Sequence, residues 1–196
     1  MNIFSDYTEQ LTSALKKLDL NAVSVLSTHL FEIWRSRRRL FICGNGGSAG
    51  NAIHIANDFT YGINPHGIAL DVEALPANAA VMTCLANDIG YQYVFSHQLK
   101  VKAQAGDILI VLSGSGNSAN ILQALHQAKL MGVTTFAILG FDGGKALHLA
   151  DHVLHVKLND MQIAEDIQVI IGHMLMKSLF GTISEFQKNP LEFKTA

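Results

Sequence analysis

"RLFICGNGGSAGNAIHIAND", residues 39–58, begins as an apolar run, passes through a turn of glycine, asparagine and serine, and continues as a helix. Glycines that open a helix cradle anions, because free backbone N–H groups and the positive end of the helix dipole both point at the turn. Further along, His54 and Asp58 stand four residues apart and share one helical face, so both reach a common target. The stretch therefore predicts two half-sites, one for a phosphate and one for proton transfer or a metal.

Similar strand-like runs recur outward from this point: "GIALDV" (67–72), "DILIVLS" (107–113), "TTFAILG" (134–140) and "DHVLHVKL" (151–158), with helical patterns between them. Short apolar runs alternating with helices predict an α/β fold with a parallel sheet covered on both faces. One of them echoes the first turn: "IVLSGSGNSAN" (110–120) is again strand, Gly/Ser/Asn turn and helix. Ligands of open parallel sheets bind at the carboxyl ends of the strands, so both turns are expected to face one crevice. Ser113, Ser115, Asn117 and Ser118 could hold a phosphate there without any lysine. An ordinary capped helix start is the alternative for either turn alone. Neither turn has a Gly-Lys-Ser/Thr ending or the dinucleotide glycine spacing, so no nucleotide cofactor is expected.

With 196 residues, 49% of them hydrophobic, and three prolines, the chain is expected to form one domain over residues 1–196. A formal net charge of −2, with basic residues gathered only in "RSRRR" (35–39), argues against a nucleic-acid surface. The start "MNIFSDYTEQLTSALKKL" lacks the apolar core of a signal peptide, and no apolar run reads as long enough to cross a bilayer. With only two cysteines, Cys43 and Cys84, the expected location is the cytoplasm. Helices are expected over residues 3–18, 21–36 and 161–183. The first pair carries an apolar stripe (Leu11, Leu15, Leu18, Val25, Leu26), and the last is apolar around most of its circumference. That much apolar helix predicts a homo-oligomer, with the helices of residues 3–36 in its interface.

Within the last helix, Glu165 and His173 stand eight residues apart on roughly one face, with Gln168 between them. An ionisable group in so apolar a segment is costly without a partner, and burial of that kind tunes groups for proton transfer. A core histidine bonded to a carbonyl is the plainer reading of His173. His148, His152 and His155 read as structural or solvated, and His29, His66, His97 and His126 have no evident partner. Asn87 and Asp88 end an apolar helix, where they could reach a sugar hydroxyl or simply cap.

Five stretches together resemble the phosphoheptose isomerases of the sugar-isomerase (SIS) superfamily: "CGNGGSAGNAIHIANDF" (43–59), "LANDIGYQYVFSHQL" (85–99), "LSGSGNSANILQAL" (112–125), "GFDGGKALHLAD" (140–151) and "AEDIQVIIGHML" (164–175). The resemblance runs over about residues 5–183. It implies a SIS fold of five parallel strands flanked by helices, a homotetramer with shared active sites, and isomerisation of sedoheptulose 7-phosphate for surface polysaccharide. It places the phosphate at Ser48, Ser113, Ser115 and Ser118, with Asn45, Gly46, Asn117, Asp88 and Glu165 about the substrate. It makes Asp58 and His173 the catalytic pair, Asp58 standing where the family has glutamate. It also implies a Zn2+ site at His54, Asp58, Glu165 and His173, Glu165 standing where glutamine is usual. Related SIS modules without the catalytic pair bind a sugar phosphate or the bacterial replication initiator protein. Retention of His54, an acid at 58 and His173 favours the enzyme.

Overall fold

Runs that are apolar on both faces can only sit between two layers of helix, and the three middle strands do so. In the computed structural model, which describes residues 2–189, β1 (Arg39–Gly44), β2 (Asp71–Ala74), β3 (Ile108–Ser113), β4 (Thr134–Leu139) and β5 (His152–His155) form one sheet. Its order is β2-β1-β3-β4-β5 and every pairing is parallel. The period of two divides each strand between two cores: Leu40, Ile42, Ile108, Ile110 and Leu112 face one side, and Phe41, Cys43, Leu109 and Val111 the other.

The first core is covered by α1 (Ile3–Lys16), α2 (Leu20–Arg35), α3 (Gly47–Tyr61) and α8 (Met161–Lys188). The second lies under α5 (Val94–Lys102), α6 (Ala119–Leu130) and α7 (Ala146–Leu149), with α4 (Ala79–Asp88) at its margin. The chain leaves β1 towards β2 on one side and returns to β3 on the other, with Gly44 opposite Leu112. A crevice opens where the order reverses, at the carboxyl ends of β1 and β3, and both glycine-serine turns begin there.

Two expectations are corrected. The second strand lies at residues 71–74 rather than 67–72, because the preceding backbone is bonded outside the sheet. The Ile68 carbonyl accepts from Trp34 Nε1 (2.7 Å) and Asn64 Nδ2 (3.0 Å), and Leu70 N–H donates to the Phe59 carbonyl (3.3 Å). Secondly, α8 is in fact long and apolar enough to cross a membrane by length and composition. Its Ile163, Ile167, Ile171, Leu175, Leu179 and Ile183 form a stripe buried in the first core, as expected of a packed helix.

α3 and α8 run parallel and very close together. Asn51 meets Gln168, Ile55 meets Gly172, and Gly62 meets Met176, so the contacts climb both helices together. A Cβ added at Gly172 would lie 2.6 Å from Ile55 Cγ1, whereas one at Gly181 on the same helix would meet nothing within 4 Å. Both Gly→Ala changes gain about 1 kcal/mol of helix propensity, but overpacking at position 172 costs about 1–3 kcal/mol. Urea unfolding is therefore expected to show Gly181→Ala stabilised and Gly172→Ala destabilised. Equal stabilisation of both would show that the helix contact is not close.

Candidate active site

Most of the longer helices spend a side chain on their first turn. Asn2, Asp19, Asn78 and Asp160 cap α1, α2, α4 and α8 through side-chain oxygens. α3 and α6 begin at Gly46 and Ser118 with no side-chain cap, and these two open into the crevice. Gly46 has φ +55° and ψ −123°, a backbone conformation that suits glycine. Their free N–H groups, with the two helix dipoles, face a cavity of about 270 Å³ lined by Asn45, Gly46, Ser48, Ser113, Ser115, Ser118 and Glu165. No lysine or arginine lines it. Its serine hydroxyls and backbone N–H groups are donors of the kind that suit an oxyanion.

The turns are internally braced. Ser113 Oγ accepts from Gly116 N–H (3.0 Å). Asn117 donates from Nδ2 to the Ser115 carbonyl (3.1 Å) and accepts at Oδ1 from Lys145 N–H (3.1 Å), so its amide ties the turn together outside the cavity lining. Asn45 and Asn120 exchange two side-chain hydrogen bonds (2.9 and 2.8 Å), and Tyr91 Oη donates to the same Asn45 oxygen (2.8 Å). This pair bridges the first turn to α6. Asn120 is buried, and sequence reading missed it and Tyr91; a polar residue beside Ile121, Ala124 and Leu125 was the available signal.

The second half-site forms where α3 crosses the middle of α8. His54 Nε2 and His173 Nε2 are 2.9 Å apart, so one ring must donate and the other accept. Asp58 Oδ2 lies 3.5 Å from the first nitrogen and 3.4 Å from the second. The two rings are about half exposed, while the carboxylate is more enclosed. Tetrahedral zinc with ligands at about 2.0–2.1 Å sets them about 3.3 Å apart. These three donor atoms, with separations on either side of that value, fit a zinc ion.

Glu165 does not join them. The cluster whose ligand atoms lie within 4.8 Å of one another contains His54, Asp58 and His173. The eight residues from Glu165 to His173 amount to about 12 Å along a helix, and the Glu165 carboxylate sits in the serine cavity, where it fills the space beside Gly47. Asn51, also absent from the sequence reading, fixes this placement by donating to the Glu165 carbonyl (2.9 Å) and to Gln168 Oε1 (3.0 Å). Asp88 is not in the cavity lining either: it is exposed at the end of α4, accepting from Cys84 Sγ (3.4 Å) and Asn87 Nδ2 (2.8 Å). The other histidines are structural in part. His29 and His152 pack with Phe136, and His155 Nε2 lies 3.0 Å from the Phe141 carbonyl.

The SIS domain profile matches residues 4–140. The phosphoheptose isomerase of Sulfurimonas denitrificans is 37% identical over 168 residues, 83% of this chain and 85% of the relative. That of Clostridium acetobutylicum is 36% identical over 78% of this chain and 80% of its own. The chain belongs to the phosphoheptose isomerase family. A solved phosphoheptose isomerase from Neisseria gonorrhoeae superposes with a TM-score of 0.81 at 27% identity, covering 90% of this chain and 94% of that one. The expected SIS fold of five parallel strands is thus the one observed.

Within this family fold, the His54, Asp58 and His173 cluster is expected to bind one Zn2+ per chain by equilibrium dialysis. His54→Ala or His173→Ala should weaken binding by about 100-fold or more, exceeding the usual effect of outer-shell changes. Glu165→Ala should leave it nearly unchanged. An equal loss in Glu165→Ala would place that carboxylate among the ligands.

Proposed function

We propose that this protein interconverts sedoheptulose 7-phosphate and D-glycero-D-manno-heptose 7-phosphate through an enediol. The observation that carries the reading is the spacing of its two half-sites. Glu165, which lines the anion cavity at the start of α3, and His173, in the acid–base cluster, stand eight residues apart on α8, a helix rise of about 12 Å. That separation suits a sugar with its phosphate at one end and its reacting carbons at the other.

Ser48, Ser115 and Ser118, with the N–H groups of α3 and α6, hold the phosphate as a remote handle. Ser113 shapes the second turn through its bond to Gly116. Binding energy gathered at the phosphate positions the distant carbons for reaction. At the other end, Asp58 takes a proton from C1 of the opened ketose as His173 protonates the carbonyl oxygen at C2, giving the enediol. Asp58 then delivers its proton to C2 while the C1 hydroxyl gives its own back to His173, and the aldose forms. His54 stands against His173 Nε2 and orients its ring. His54, Asp58 and His173 would be the residues to hold a zinc ion, which would supply polarisation of a substrate oxygen as an alternative to the direct proton transfer by Asp58 and His173.

The same reading includes a cytoplasmic homotetramer whose product feeds heptose for lipopolysaccharide or another surface polysaccharide. Self-association is supported by exposed Ile3 and Phe4 on α1, and by α4, which buries none of its residues within the chain despite its apolar composition.

The test is turnover of sedoheptulose 7-phosphate followed by NMR of the sugar. Wild type is expected to be active, and His173→Ala to lose about 10²–10⁴-fold in kcat. Ser115→Ala should lower kcat as well as raise KM, because the phosphate contact positions the reacting carbons. An inactive wild type that still binds the sugar phosphate would contradict the reading.

A further inference from the structure

The serine cavity contains a group that an anion site would be expected to exclude. Glu165 places its carboxylate over the first turn of α3, where a Cβ on Gly47 would coincide with it. Its backbone is anchored by Asn51, yet among the described residues no hydrogen bond or ion pair engages the carboxylate itself. The main chain is held, and the carboxylate lies against Gly47 without a bonding partner among the described residues. With no lysine or arginine in the lining to balance it, this carboxylate lies against the uncapped first turn of α3, an end that attracts anions.

We infer that the Glu165 carboxylate occupies part of the phosphate subsite as a built-in competing anion, which the incoming phosphate must displace. The inference rests on the phosphate reading of the cavity given above. Two negative groups cannot share a pocket held only by hydroxyls and N–H groups without strong repulsion. Glu165 therefore sets how tightly a phosphorylated ligand is held. It weakens anions that bring only a phosphate and favours ligands whose remaining contacts offset the displacement.

Inorganic phosphate is the direct probe, because it has no sugar to contact the acid–base cluster. Calorimetric titration into chelator-dialysed wild type, Glu165→Gln, Glu165→Ala and Ser115→Ala protein tests the competition without metal contributing to anion binding. Both Glu165 variants are expected to bind phosphate roughly five- to tenfold tighter than wild type or more, five- to tenfold being the size of one unit charge removed from about 4 Å with water-like screening. Ser115→Ala should bind it more weakly. Tighter binding in Glu165→Gln alone would trace the gain to a new amide hydrogen bond and overturn the competition. Unchanged or weaker binding in both, with Ser115→Ala still weakened, would overturn it while leaving the phosphate subsite in place. Absence of saturable binding in every protein would remove the phosphate reading and this inference with it.

Discussion

The chemistry of this protein depends on how near α3 lies to α8. Gly172 presents no side chain to Ile55, Gly62 lies beside Met176, and the glycine at 47 leaves room for Glu165. Two parallel helices in such contact repeat their meeting points every three to four residues, so groups from both gather at fixed intervals along one seam. The first interval belongs to the phosphate turns and the Glu165 carboxylate. A middle interval is the Asn51–Gln168 clamp, and a later one brings His173 to His54 and Asp58. The sheet supplies what the helix pair cannot, by bringing the second serine turn beside the first at the reversal of strand order.

Much of this was legible in the sequence because it is written in local pattern. β1, β3 and β4 are buried on both faces and read as continuous apolar runs. The two turns share a composition, and His54 and Asp58 share a face through their spacing. What failed involved partners far away in the chain. Residues 67–70 look like strand, but Trp34 claims the Ile68 carbonyl from 34 residues upstream. The His54–His173 contact spans 119 residues, and no single-helix pattern contains it. Glu165 and His173 do lie on related faces, yet two turns of helix are enough to deliver them to different ends of the site. Asn117 reads as a ligand-binding amide because its use as a brace against Lys145 is set by a loop 28 residues later.

The acidic groups give this family member its particular balance. Aspartate at 58 is one methylene shorter than the glutamate the family resemblance implies, and its oxygen still comes within 3.4–3.5 Å of both imidazoles because the helices are so close. At 165 the resemblance implies a neutral amide, and a charged carboxylate stands in an anion cavity instead. One substitution is accommodated by packing, whereas the other changes the electrostatics of binding. In the proposed reaction both ends lie on one helix seam, closed where Gly172 meets Ile55.

A crystal structure with sedoheptulose 7-phosphate bound would show directly how the two half-sites are used. The phosphate is expected between the first turns of α3 and α6, with the Glu165 carboxylate displaced from Gly47 and C1 and C2 of the sugar beside Asp58 and His173. A phosphate bound outside those turns, or reacting carbons directed away from His173, would contradict the proposed reaction.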